Sequence, residues 1–459
     1  MNRRTFATGG TGMLLAASAL AAGATGPGAL AQVTVPTAPG AAAPRWATSW
    51  AASVQGPYPT GNPSAQPDQR FAFPDPAEGA RDQTLRLVLR PTVWGPQARL
   101  RFSNAFGTRP LALDGVHAGL QLGSATLVPG SNRPVRFGGR EGVTIPPGGQ
   151  AWSDPVDLPF AANPAAPLLA GRKLAVSFHV AGSSGPMTWH AKALQTSYVT
   201  PPGAGARGAE EGEHAFPFST ASWFFLDAVD MMAPAGTPVI VGFGDSITDG
   251  TASTMNGDDR WPDVLWRRLL ASAGRPVAVV NAGIGGNQVA GPAQYGPSTP
   301  FPGGPSALMR LERDVISLSG VTAVIWLEGI NDFSRNGNAT LEAVRDGMQQ
   351  GVKRLREEIP GVRVIGATVT SALGSSSAAH GHAEQDEKRR ALNAFIRDSG
   401  TFDDVADFDA AVLDRASGGL RAEMVPESTT GGPGDKLHPN RAGYLAMANS
   451  IDLRMLLGR

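Results

Sequence analysis

Ser246 closes the tripeptide Gly244-Asp245-Ser246, which follows the apolar run Val239-Ile240-Val241. Such a run reads as a buried strand, and in open α/β sheets ligands bind beyond the carboxyl ends of the strands, so a hydroxyl here is well placed for chemistry. A serine attacks a carbonyl only when a base takes its proton and a third group holds that base in the right tautomer. The chain has 7 histidines, and one stands in Asp435-Lys436-Leu437-His438-Pro439-Asn440. One tight turn between Asp435 and His438 lets the carboxylate reach the imidazole and leaves the other ring nitrogen for Ser246. Taken singly, Gly-Asp-Ser is also an ordinary turn, Asp435 a loop acid and His438 a solvated residue at a helix start.

Two more short motifs follow apolar runs. Asn281-Ala282-Gly283-Ile284-Gly285-Gly286-Asn287 comes after Val277–Val280, and Gly329-Ile330-Asn331-Asp332 comes after Val324–Leu327. Both fall at the sheet edge expected for Ser246. The tetrahedral intermediate of an ester carries an oxyanion, which backbone N–H groups or an Asn amide stabilise. The simpler readings are a glycine turn needing positive φ and a turn asparagine.

Four such motifs in this order resemble the SGNH (GDSL-type) hydrolase family, named for Ser, Gly, Asn and His. The resemblance implies that Ser246 is the nucleophile and first oxyanion donor, that Gly286 and Asn331 are the other donors, and that Asp435 and His438 complete the triad. It extends through Asn440-Arg441-Ala442-Gly443-Tyr444 and covers about residues 237–457. The N-terminal half resembles the β-rich domain of a secreted two-domain subgroup, on Ser103-Asn104-Ala105-Phe106-Gly107-Thr108-Arg109-Pro110-Leu111 and Ser153-Asp154-Pro155.

The elements that must position these residues fall into two grammars. From Arg45 to about Pro234 short alternating segments dominate. Thr84–Arg90, with Leu85, Leu87 and Leu89 on one face, and Ala98–Phe102 read as paired antiparallel strands with a polar outer face, and Leu174–Val180 as another strand. This region, 45–234, reads as an all-β sandwich or jelly roll. From 235 to 459 strands alternate with helices, which predicts a parallel sheet inside a three-layer α/β/α domain. The expected strands are Val239–Phe243, Val277–Asn281, Ala323–Leu327 and Val362–Val369. The expected helices are Trp261–Ala273, Ser306–Leu318, Thr340–Ile359, Asp386–Ser399 and Asn440–Leu457, with Pro439 at the start of the last. Gly291–Pro305 and Thr429–Gly434 read as long loops beside the site.

The remaining sequence sets the setting. Arg3-Arg4, the Gly- and Ala-rich stretch Met13–Ala24 and Ala29-Leu30-Ala31 read as a twin-arginine-type signal over residues 1–31, followed by a leader over 32–44 and predicting a periplasmic or secreted product. The apolar stretch is short of the about 20 residues a membrane span needs, so no membrane insertion is expected once the signal is removed. Cys is 0, which excludes disulfides, thiolate metal sites and a cysteine nucleophile. Lys+Arg 39 balances Asp+Glu 39, which argues against a nucleic-acid partner.

No cofactor and no metal is expected. His380-Gly381-His382 with Glu384 and Asp386 has metal-like composition, but two histidines and acids in a polar loop read as solvated. Asp245 and Asp249 read as supports of the nucleophile loop. The expected activity is an exported serine carboxylic ester hydrolase acting on small-molecule or polysaccharide-linked esters, chiefly short-acyl or carbohydrate O-acetyl groups. An O-acyltransferase, or a lipase or lysophospholipase, uses the same constellation. A polysaccharide-binding protein without catalysis is the reading from a different class. It would require the tryptophans of the β region (Trp46, Trp50, Trp94, Trp152, Trp189 and Trp223) to line an open groove instead of a core.

Overall fold

Val239–Gly244 is buried along its whole length because it is the second strand of a five-stranded parallel sheet and has neighbours on both sides. The order is Ala278–Gly283, Val239–Gly244, Val321–Leu327, Arg363–Ala367, Asp404–Ala406. Gly244 pairs with Gly283 on one side and Leu327 on the other, so the three loops beyond these residues open at one edge. One face of the sheet packs with Leu311, Val315, Val344, Met348 and Leu355, and the other with Trp261, Leu265, Leu269, Tyr444 and Met447. Apolar residues on both faces are what a strand run without alternation requires.

The computed structural model describes residues 43–62 and 68–457. The expected signal segment 1–31 lies outside them, as do residues 32–42 of the leader. Among the described residues no helix is long and apolar enough to cross a membrane.

Among the described residues, 45–233 form two large antiparallel sheets and a short two-stranded one, Trp189–His190 with Trp223–Phe224. One large sheet carries Arg45–Ala51, Leu226–Ala233, Gln97–Ser103 and Gln150–Trp152, and the other is centred on Arg81–Leu89, Leu174–Ser183 and Leu111–Gly123. Leu85, Leu87 and Leu89 meet Leu100, Phe102, Val176 and Phe178 in the core between them. On its outer side the first sheet places Ala47, Ala51, Ala228 and Ala233 in the same apolar cluster as Val239, Val315 and Leu318. Its small residues allow the parallel-sheet layer to approach closely, and the described residues from 43 onward fall in one compact unit.

Several expectations need correction. The segments Thr84–Arg90 and Ala98–Phe102 do not pair. Arg81–Leu89 bonds to Leu174–Ser183, and Gln97–Ser103 bonds to Leu226–Ala233, so they face one another from different sheets. The turn residues Trp94-Gly95-Pro96 carry the chain across the sandwich instead of closing a hairpin. Nor is their outer face polar and open. Arg86 is buried beneath the 208–216 segment, with its guanidinium 4.2 Å from the Phe216 ring centre, and Arg101 is buried in an ion pair with Asp227.

The last helix is broken. Arg441–Ser450 ends at Ile451, whose ψ of 122° is extended, and Asp452 then accepts the Arg454 amide to start a separate turn, Arg454–Leu457. Pro439 stands outside it, because Asn440 is the N-cap and accepts from the Ala442 and Gly443 amides. The expected helix over 306–318 is α-helical only at Ala307–Leu311 and widens into a π turn at Glu312–Ile316. Glu384 and Asp386 lie in the first turn of the helix Ala383–Asp398, not in a loop. The fifth parallel strand, Asp404–Ala406, is too short to show a period.

Candidate active site

Asp245 caps the short helix Ser246–Asp249 by accepting the Ile247 amide at 2.9 Å, which places Ser246 at its first position. Gly244 is obligatory just before it. A β-carbon there would come within 2.3 Å of Thr248 Oγ1 and 2.4 Å of Leu327 O.

Across the cleft, residues 435–438 form a tight turn with Lys436 at φ 57°. Asp435 Oδ1 accepts both the Leu437 and His438 amides at 2.9 Å, which leaves Oδ2 to take His438 Nδ1 at 2.5 Å. His438 Nε2 lies 2.7 Å from Ser246 Oγ. With Nδ1–H donating to Asp435, Nε2 carries the lone pair and accepts the serine O–H, the arrangement a general base needs. Burial acts to raise the Asp435 pKa. The hydrogen bond and charge of His438 and the two amides outweigh it and hold the carboxyl well below the usual carboxylate range.

Gly286 and Asn331 line the same cleft of about 520 Å³ as Ser246 and His438. Gly286 adopts φ 84°, and a β-carbon on it would lie 2.7 Å from Asn62 Nδ2. Among the described residues neither the Gly286 nor the Ser246 amide has a hydrogen-bond partner. Asn331 Nδ2 donates one hydrogen to Asn287 O at 3.0 Å, so the other remains available. Two amides and one side-chain N–H on one wall form a donor set suited to a developing oxyanion.

Arg310 is a residue that motif reading missed. Fully buried, it bonds Gly244 O at 2.8 Å, Ala282 O at 2.8 Å, Asn287 Oδ1 at 2.7 Å and Glu328 Oε1 at 2.9 Å, and its guanidinium lies 4.0 Å from the Phe243 ring centre. One side chain thus ties together the ends of the three strands that carry the site. Asp332 adds a second tie, accepting the Val289 and Ala290 amides, and burial pushes its pKa up to about 7 against those two bonds. Arg310 lies in an ordinary amphipathic stretch, so no local signal distinguishes it.

His380 has a specific place. Its Nε2 is 3.2 Å from Asn331 Oδ1 and its Nδ1 is 3.1 Å from Ser377 Oγ. Burial, with the His438 charge second, pushes its pKa down to about 4, so it is a neutral imidazole at neutral pH. His382 instead precedes the helix Ala383–Asp398, with Arg335 near its Nδ1. Among the described residues no group of three or more His, Asp or Glu side chains is placed to hold a metal ion.

The β-rich half builds part of the cleft. Asn62 donates to Gly285 O at 2.7 Å, and Lys192 lines the wall beside it. His190 joins the two halves, with Nδ1 on Ser53 O at 2.8 Å and Nε2 on Asp249 Oδ1 at 3.1 Å. Asp249 in turn accepts the Gly285 amide at 3.0 Å. Asp245 and Asp249 therefore support the loops and do not face the reacting atoms. Phe106, from the Ser103–Leu111 motif, packs edge-on against Tyr295 at 5.1 Å, and Tyr295 is pinned to the Gly56 backbone. That motif thereby anchors the loop 291–305, whose Phe301, Pro302 and Gly303 wall the cleft. Trp50, Trp94, Trp189 and Trp223 are buried, and Trp46 and Trp152 lie against the Arg99 guanidinium, so these six tryptophans form no open groove.

Residues 243–446 match the GDSL-like lipase/acylhydrolase family. No curated protein matches the chain. Among solved structures, a putative arylesterase from Agrobacterium tumefaciens str. C58 is similar at 18% identity, with 47% of this chain and 95% of that one covered and a TM-score of 0.36. A carbohydrate acetylesterase family member from Sinorhizobium meliloti gives 18% identity, 49% and 100% coverage and a TM-score of 0.36. A lipase/acylhydrolase from Enterococcus faecalis gives 22% identity, 49% and 96% coverage and a TM-score of 0.36.

Proposed function

From a chain whose residues 243–446 are a GDSL-like lipase/acylhydrolase domain, we propose an exported serine carboxylic ester hydrolase that works through an acyl-enzyme. The observation that carries this reading is the relay from Ser246 Oγ to His438 Nε2 at 2.7 Å and from His438 Nδ1 to Asp435 Oδ2 at 2.5 Å. Ser246 attacks the ester carbonyl while its proton passes to His438 Nε2. The carbonyl oxygen takes the negative charge and is met by the Ser246 and Gly286 amides and the free N–H of Asn331. On collapse the carbon–oxygen bond to the alcohol breaks, and His438 returns its proton to the departing oxygen. Water then attacks the acyl-serine, giving its proton to His438, and the acid leaves as Ser246 is reprotonated. The ionised Asp435 holds the imidazole tautomer and stabilises the cation formed in each half-reaction.

The walls favour short acyl groups on polar alcohols. Asn62, Gln288, Ser334, Asn336 and Ser377 line the cleft beside Phe301, Pro302 and Leu437, and an acyl chain longer than these three residues can cover would lie against polar groups. Export by the twin-arginine route is supported by Arg3-Arg4 and by a chain without cysteine, which needs no disulfide to fold.

Acyl-chain profiling with aryl esters from acetate to palmitate, alongside acetylated xylan, tests the substrate reading. Turnover should peak at acetate or propionate, and a palmitate optimum would overturn it. Product analysis with an added sugar acceptor separates hydrolysis from acyl transfer. Replacing Arg3-Arg4 with a lysine pair should retain the precursor in the cytoplasm, and normal export would refute the twin-arginine route.

A further inference from the structure

Lys192 is a cation that the hydrolytic mechanism leaves unused. Its side chain lines the cleft from the β-rich half, beside Gly285, in the same cleft as Asp435 and His438. The residue is only 7% exposed. Its ammonium has three donors, and one is spent on Thr251 Oγ1 at 2.6 Å. Among the described residues the other two have no partner, and no carboxylate lies within ion-pairing distance. The nearby acids are otherwise engaged: Asp249 by His190 and the Gly285 amide, Asp245 by the Ile247 amide, and Asp435 by His438. A β-carbon on Gly285 would come within 3.4 Å of Nζ, so the charge stands one residue from the Gly286 amide.

A nearly buried ammonium with two open donors is costly unless something completes its shell. Burial lowers its pKa, and Asp249, Asp435 and Asp245 oppose that loss of charge. We propose that Lys192 is the anion-recognition residue of this cleft, and that the preferred substrate is an ester carrying a carboxylate close to the scissile bond. This rests on the hydrolase reading above and narrows it to a substrate class. A monoanion fits better than a phosphate dianion, because a single ammonium must answer it with three aspartates nearby. The carboxylate accepts the two open N–H groups, and an uncharged substrate leaves them unpaired.

Two matched ester pairs test this. 4-Nitrophenyl acetate against mono-4-nitrophenyl succinate places the charge on the acyl side. Acetylated galactose against acetylated galacturonic acid places it on the alcohol side. The wild-type enzyme should favour the charged member of at least one pair in kcat/KM. Lys192→Met should cut that charged-to-neutral ratio about tenfold or more, and Lys192→Arg should keep most of it. A wild-type ratio near one in both pairs overturns the proposal, whatever the variants do. An equal fall for charged and neutral esters in Lys192→Met also overturns it, because the lysine would then serve the loop or the oxyanion wall. Ser246→Ala in the same assays separates the two readings. If Ser246→Ala retains activity the hydrolase mechanism fails, whereas loss in Ser246→Ala with no charge preference defeats the Lys192 assignment alone.

Discussion

His380 Nε2 stands 3.2 Å from Asn331 Oδ1, and this contact decides which way the Asn331 amide faces. Ser377 Oγ beside Nδ1 donates its O–H, so the proton sits on Nε2, which then donates to Oδ1. The amide nitrogen is thereby turned toward Asn287 O and the cleft. His380 is a positioning residue in this arrangement. His380→Ala should lower kcat about tenfold with little change in KM, less than the 10²–10³ expected for removing an oxyanion donor outright. His380→Gln, which can still donate to Oδ1, should recover part of the loss. Steady-state kinetics of both variants check this, and a pure KM effect would contradict it.

The same histidine sets a pH dependence of stability. Its folded-state pKa, about 4, lies below its ordinary value of 6.5. Between these values the unfolded chain binds a proton that the fold does not, so stability falls as pH drops from about 6.5 to about 4. Urea midpoints across that range should decline, and the His380→Gln variant should show a shallower decline.

In the proposed mechanism Ser246 and His438 act as one unit through their 2.7 Å contact. Ser246→Ala and His438→Ala should each reduce kcat on the order of 10⁴-fold or more, and the double variant should be little worse than either. Additive losses in the double variant would show that the two do not share a step.

Arg310 holds Asp314 and Glu328 in a site without solvent. Arg310→Met leaves Glu328 buried without its cation, while Asp314 keeps Arg313, and should cost about 3–5 kcal/mol. Chemical denaturation reads the change, and an unchanged midpoint would show that the network contributes nothing.

Gly286 carries φ 84° and has no room for a β-carbon beside Asn62. Gly286→Ala should depress kcat about 10²-fold, because the amide moves off the oxyanion position. Pairing it with Asn62→Ala relieves the clash but not the backbone conformation, so the double variant should stay impaired.

Much of the site was legible in the chain because it is built from local devices. Gly244-Asp245-Ser246 carries its own helix cap, and Asp435-Lys436-Leu437-His438 closes a turn whose side chain bonds its own backbone. Such features depend on residues a few positions apart, which is what spacing records. Apolar patterning likewise marked the parallel strands and the β-rich half, since burial on one face leaves an alternating pattern and burial on both an unbroken apolar pattern. Partnership across long separations leaves none. Nothing local tells Arg81–Leu89 to bond Leu174–Ser183 and not Gln97–Ser103, and both candidates satisfy the same pattern. Arg310, His380 and Lys192 are ordinary residues in their own segments. Each takes its place from chain that the fold brings in from 18 to 66 residues away, Glu328 and Gly244 around Arg310, Asn331 beside His380, and Thr251 at Lys192. Sequence determined the groups that the proposed mechanism uses, Ser246, Gly286, Asn331, Asp435 and His438. Tertiary packing decided what holds them still, and it delivered a β-domain lysine to the wall of the same cleft.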